Sequence, residues 1–243
     1  MEKLIPLSIR CWMWRVLIGE SYSPPLGWVE FGSLRRIEPI SREYGRGGGH
    51  FIDRYYIERF LSDNAPLVRG RVLEVGDNNY TRRFGGNRVT RSDVLHVAKN
   101  PRATFIDDLA TGTTLPPNAF DCFICTQTLQ YIPDMDAAIQ TIFRILKPQG
   151  VLLATVPGLS YHNPEADPWG YFAMFTRWSA REHFGRVFPP DHLDVRSHGN
   201  VLASISFLQG LACEDVRSEE LDYNDDFYQL CITIKAVKPI FLL

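Results

Sequence analysis

Residues 71–76 read RVLEVG, an apolar run that closes on Glu74, Val75 and Gly76. A short apolar run stopped by glycine fits a buried strand. Comparable runs recur downstream at intervals. VTRSD ends in Asp93, ATFID and the next two residues bring Asp107, Asp108 and Leu109, and FDCFICT runs from Phe120 to Thr126. DMDAAIQTIFRILK then sets Ile139, Ile142, Phe143, Ile145 and Leu146 on one helical face, with Asp134 as its cap. Pro148 and Gly150 end that helix ahead of a fifth strand, VLLATVPG. Strand and helix in this cadence predict an α/β fold with a mainly parallel sheet and right-handed crossovers. A glycine and then acids at the carboxyl ends of successive strands is how open α/β sheets hold a nucleoside.

Outward from this centre the pattern loosens. Downstream lie a long aromatic loop after Gly158, a helix SAREHFGRVF with Ser179 as its expected cap, and a strand near Leu193 to Ser197. A helix NVLASISFLQGLA and a final strand QLCITIKAVK complete the chain. Upstream, FIDRYYIERFLSDN carries Ile52, Tyr55, Tyr56, Ile57, Phe60 and Leu61 at helical spacing. Residues 21–50 are rich in turn formers and read as loop and lid, with Gly47, Gly48 and Gly49 preceding His50. The expected division is an N-terminal extension and lid, 1–50, and a ligand-binding α/β domain, 51–243.

Composition narrows the function classes. The 243 residues are 45% hydrophobic, enough for a core, and the net charge of −2 argues against a nucleic-acid partner held by phosphate neutralisation. Five scattered cysteines suit reduced thiols in a cytoplasm better than a disulfide framework. Cys122 and Cys125 stand three apart on a strand, so they point to opposite faces and favour core over metal. Residues 1–20 are apolar but broken by Pro6, Arg10 and Arg15, a poor signal peptide. They read as a helix packed on the body, the favoured reading, or in weak contact with a membrane surface.

The ordered set RVLEVG, Asp93, Asp108, FD at 120–121 and LKPQG at 146–150 resembles the class I S-adenosylmethionine-dependent methyltransferases over roughly Phe51 to Lys238. More narrowly, IDRYYIE, GD-x-x-YT-x-x-FG and the VPG-to-WG-x-Y-x-x-FT segment look like a bacterial subgroup associated with sugar and polysaccharide biosynthesis. The resemblance implies a Rossmann-like, doubly wound sheet of seven strands, mostly parallel, whose last strand is antiparallel. It implies S-adenosyl-L-methionine as cofactor and a small-molecule or glycan-type acceptor, methylated at oxygen. On the family's motif, Glu74 braces the loop that begins at Gly76 and Asp77. Asp93 takes the ribose hydroxyls, and Asp108 takes the adenine amino group with Leu109 on the ring, Asp107 being the competitor. Thr126 and Gln127 fall where the methionine part meets the acceptor. Arg54 and Tyr55 lie on the helix that folds over the cofactor in that family, although Arg54 could equally form a surface ion pair with Glu58, and Tyr55 could be packing.

The sequence departs from the family where the usual second and third loop glycines are replaced by Asn78 and Tyr80. Asp and Asn tolerate left-handed backbone, so the turn is still expected. Only 17 positions separate Gly76 from Asp93 and 15 separate Asp93 from Asp108, which leaves little helix in either crossover. His162, after strand five, is the first candidate for a base on a hydroxyl acceptor and His50 the second, with a structural or solvated role as the plainer alternative for each. Two other classes stay open. A Rossmann-type oxidoreductase would need G-x-G-x-x-G opening a long helix, which is missing here. A non-catalytic binding or scaffold module would account for the glycine-poor loop.

Overall fold

The computed structural model describes residues 5–19, 21–161 and 170–240. The chain falls into two compact units, 1–38 and 39–243. In the first, helix α1, Leu7–Ile18, stops at Gly19, whose φ of 79° lets its amide reach the Arg15 carbonyl. Arg10, buried, donates to Tyr22 Oη and Glu30 Oε1. The apolar side chains Trp12, Val16 and Leu17 are exposed. No helix among the described residues is long and apolar enough to cross a membrane.

The second unit begins with helix α2, Ile52–Asp63, and builds one sheet. Its strands are β1, Gly70–Val75; β2, Val89–His96; β3, Phe105–Ile106; β4, Phe120–Thr126; β5, Leu146–Pro157; β6, Leu193–His198; and β7, Cys231–Val237. They lie in the order β3-β2-β1-β4-β5-β7-β6, parallel through β5, with β7 antiparallel to both β5 and β6. This is the expected seven-stranded Rossmann-like sheet. Helices α3, Met135–Ile145, and α4, Arg177–Gly185, supply one layer, in which Ile139, Ile142 and Phe184 pack on Phe123, Leu152 and Ile234. On the other face α2 and α5, Val201–Leu208, bring Ile57, Leu61 and Phe207 against Val72, Ile124 and Leu153. A short helix, α6, Ser218–Asp222, contributes Leu221 to that layer. Strand alternation sends Cys122 to the second core and Cys125 to the first, both fully buried.

Several local expectations shift. The cap of α4 is Thr176, whose hydroxyl accepts the Ser179 amide while Ser179 Oγ accepts the Thr176 amide, so Ser179 completes the box from inside the helix. Strand β5 starts at Leu146, ahead of Pro148 and Gly150, and the extra residues loop out at Gln149, where φ is 66°. The first crossover is a π turn, Thr81–Gly85, followed by a 3₁₀ turn, Gly86–Arg88, and no helix joins β2 to β3. Residues 39–50, expected to belong with the extension, lie in the larger unit, where the Ser41 and Arg46 amides bond to the Gln209 and Gly210 carbonyls.

Strand β2 also runs three residues past Asp93. That carboxylate is not at the strand's end: it pairs in register with Leu73, is 1% exposed, and is held by Arg71 Nε at 2.7 Å and Arg91 Nε at 3.2 Å. The Arg71 guanidinium is in turn stacked against the Phe120 ring, 4.8 Å from its centroid. A buried carboxylate between two cations carries a structural load, because removing it strands Arg71 in the sheet. Asp93→Ala should therefore lower the unfolding free energy by roughly 3 kcal/mol, read from the urea midpoint at pH 7.

Candidate active site

Between β1 and β4 the strand order reverses direction, the place where open α/β sheets bind ligands beyond their carboxyl ends. A cleft of about 430 Å³ opens there, walled by residues from the ends of β1, β2, β3 and β4. Gly76 forms its floor: φ is 85°, its amide bonds to the Leu95 carbonyl at 2.9 Å, and an added Cβ would meet open cleft. Glycine thus leaves bare backbone facing the cavity.

Glu74, 3% exposed, ties the loop after Gly76 to the sheet. Its Oε1 accepts the Tyr80 amide at 3.1 Å, and its Oε2 accepts the Thr81 amide at 2.7 Å and the Thr81 hydroxyl at 2.6 Å. Asp77 curls over the next turn, accepting the Asn79 amide at 2.9 Å and its side-chain amide at 2.7 Å. Asn78 donates to Ser92 Oγ on β2. Side-chain bonds thereby replace the missing glycines. The left-handed tolerance expected of Asp77 and Asn78 is not used, since Gly76 alone in this loop has positive φ.

The cleft gathers Gly76, Asp108, Leu109 and Gln127 of the expected residues, together with Asp107. Asp108 is exposed and accepts the Ala110 amide at 2.8 Å, whereas Asp107 is turned inward onto the Thr114 amide and hydroxyl, which hold its carboxyl below the usual range against the cost of burial. Gln127 sits at the end of β4 with φ of 47°, an uncommon conformation for a non-glycine residue and one found at functional positions. Asp93 does not line the cleft. The end of β2 presents His96 and Val97 instead. His96 Nδ1 accepts the Ala98 amide at 3.0 Å, which leaves the ring proton on Nε2 as a donor. A histidine three residues past the acid carries no signal in the sequence, because no turn former marks the strand's true end there.

A second cavity, about 160 Å³, adjoins the first and shares Gln127 and Tyr131 with it. Arg54 lines it and donates to Tyr80 Oη at 2.9 Å. Glu58 pairs with Arg83 and His50, so the alternative ion pair between Arg54 and Glu58 does not form. Tyr55 reaches neither cavity: its hydroxyl donates to Asp222 at 2.7 Å beside Arg59. Thr126 and Asp77 line neither cavity. His50 lines neither cavity and pairs through Nε2 with Glu58 at 3.6 Å, while His162 lies outside the described residues.

A nucleoside with an amino-acid tail fits these surfaces. Leu95, Leu109 and Ile132 offer an apolar slot for a flat ring, Asp108 an acceptor at its edge, His96 a donor for a sugar hydroxyl, and the Gly76 backbone close passage for the tail.

The geometry agrees with three kinds of relative. A family model described as a methyltransferase domain matches residues 43–199. The ubiquinone/menaquinone biosynthesis C-methyltransferase UbiE of Pasteurella multocida is 29% identical over 109 residues, 45% of this chain and 39% of that protein. UbiE of Vibrio cholerae is 28% identical over 100 residues, 41% of this chain and 35% of that protein. The matches thus span under two-fifths of those relatives' length. Among solved structures, phosphoethanolamine N-methyltransferase 2 of Haemonchus contortus, in complex with S-adenosyl-L-methionine, superposes with a TM-score of 0.53 at 18% identity. That match covers 86% of this chain and 55% of that one. The cyclase SpnF gives 0.51 at 16%, over 85% and 88% of the two chains. One fold serves both, so chemistry must be argued from the cavities.

Burial pushes the Glu74 carboxyl up to about 7, against the pull of its Thr81 and Tyr80 hydrogen bonds. The folded protein then binds a proton here that the unfolded chain releases near 4.5, so stability is fullest below 4.5 and is lost as pH rises toward 7. Glu74→Gln cannot ionise and should gain on the wild type by on the order of 3 kcal/mol between those limits. The difference of the two urea-unfolding series across pH measures it.

Proposed function

The chain belongs to the methyltransferase-domain family, and on that premise we propose that it transfers a methyl group from S-adenosylmethionine to a small-molecule acceptor. One observation carries the function: the cleft at the switch point, floored by bare Gly76 backbone, adjoins a second cavity and shares Gln127 and Tyr131 with it. Bound there, S-adenosylmethionine supplies a methyl group activated by its sulfonium. The chain's own task is to hold acceptor and donor in line and to keep water out. Asp108 accepts the adenine amino group, Leu109 packs the ring, and His96 takes the ribose in place of Asp93. Arg54, steadied by Tyr80, faces the carboxylate of the amino-acid tail.

The acceptor proposed is a hydroxyl-bearing, glycan-type molecule methylated at oxygen. It is supported by the oxygen-rich wall of the second cavity, although the relatives' names speak of carbon and nitrogen acceptors. Residues 39–50, with Tyr44 on the wall of that cavity, act as the acceptor-side lid. A cytoplasmic setting suits the free cysteines. The exposed Trp12, Val16 and Leu17 of α1 suit weak contact with a membrane surface, and co-sedimentation with anionic vesicles that Trp12→Ser abolishes would establish it.

Calorimetric titration with S-adenosylhomocysteine tests the cofactor assignment. Asp108→Ala and His96→Ala should each weaken binding about tenfold, the loss of one good hydrogen bond, while Asp93→Ala, where it remains folded, should not. Incubation with labelled S-adenosylmethionine and candidate acceptors tests transfer. Binding without transfer to any acceptor would leave the non-catalytic module as the function.

A further inference from the structure

We propose that Asp53 and Gln130 form a hydroxyl-binding subsite in the second cavity, two buried oxygens that receive hydrogen bonds from neighbouring hydroxyls of a sugar-like head group. The inference rests on the methyl-transfer function above and names the acceptor chemistry of that same site.

Asp53 comes from the first turn of α2 and Gln130 from the turn Leu129–Tyr131 after β4, so two separate elements bring them to one small cavity. Asp53 Oδ1 and Gln130 Oε1 are both closed to solvent, and neither has a hydrogen-bond partner among the described residues. The orientation of Gln130 follows from its other end, because Nε2 donates to Gln127 Oε1 at 3.3 Å. Each orphan is an acceptor, and a buried acceptor left unmade costs free energy that a ligand donor recovers. Their complement is a molecule presenting at least two donors.

The rest of the wall selects among donors. Arg54 and Asp53 both line the cavity, and their opposite charges offset each other, which suits a neutral hydroxyl-bearing group. Tyr44, on the same wall, is stacked against Phe207 at 5.2 Å and Tyr161 at 4.6 Å, with Phe51 tilted beside it at 5.9 Å, so the aromatic part of the wall is fixed in place. Burial raises the Asp53 carboxyl, against the pull of the Arg54 charge and of the Arg54 and Asp53 amides. The shared lining at Gln127 and Tyr131 puts this subsite next to the cofactor cleft.

Saturation-transfer NMR on the full chain, loaded with S-adenosylhomocysteine, tests the subsite with methyl glycosides of glucose, galactose, mannose and rhamnose, and with ethanolamine as the cationic probe. At least one glycoside should bind the wild type. Asp53→Leu and Gln130→Met should each weaken it about tenfold while S-adenosylhomocysteine affinity stays within about twofold. Should Asp53→Leu fail to fold, Asp53→Asn and Gln130→Met carry the measurement, with the loss in Asp53→Asn smaller. Glycoside binding unchanged in the variants, no glycoside binding at all, or preference for ethanolamine would each overturn the subsite. A tenfold fall in S-adenosylhomocysteine affinity in Asp53→Leu would also overturn it, by moving Asp53 to the cofactor. Failure of the wild type to bind S-adenosylhomocysteine would instead bring down the methyl-transfer function on which the subsite depends.

Discussion

The carboxylate of Glu74 holds the site together. It stands at the end of the central strand β1, out of water, and three donors from Tyr80 and Thr81 converge on it. With the far end of the loop pinned to the sheet and the near end pinned by Gly76 to Leu95, the backbone between has little freedom to sag into the cleft. Arg54 depends on the same anchor, since the Tyr80 whose amide reaches Glu74 also receives the guanidinium. Burial makes this acid costly to ionise, so the anchor draws on the stability of both sheet faces.

That stability is spread over two cores. Helices α3 and α4 close one face and α2 and α5 the other, and every strand from β1 to β7 carries residues toward at least one of them. The rigid centre allows short crossovers beside it. The crossovers from Gly76 to β3 hold only a π turn, a 3₁₀ turn and loops, so the nucleoside side of the cleft is walled by strand ends. The same brevity exposes His96 and Val97 at the cleft while Asp93 stays below, neutralising Arg71.

The two cavities differ in chemistry as well as size. The larger is mainly apolar, with Asp108 and His96 at its polar edges, and suits a flat base with its sugar. The smaller mixes aromatic rings with Asp53 Oδ1 and Gln130 Oε1, which have no hydrogen-bond partner among the described residues. Gln127, held in a left-handed conformation at their junction, touches both and hands its side-chain oxygen to Gln130. Strain at that point is consistent with a residue kept for position.

Hydrophobic period, caps and turn formers are local properties, and they suffice to read the α/β class, the strand succession, the α3 face and the opposed cysteines from the sequence. They also mark Glu74, Gly76, Asp108, Leu109 and Gln127, because each stands beside a strand end that a motif delimits. Asp93 is misplaced by the same reading for the converse reason: nothing after it breaks the strand, and pairing with β1 carries β2 on to His96. Tyr55 sits on an apolar stripe, yet which neighbour its hydroxyl meets depends on where α6 comes to rest. Asp53 and Gln130 lie 77 positions apart in the chain and share no pattern. Only the tertiary fold, which brings the first turn of α2 beside the turn after β4, sets their oxygens in one cavity, since burial and the lack of partners are properties of the assembled fold.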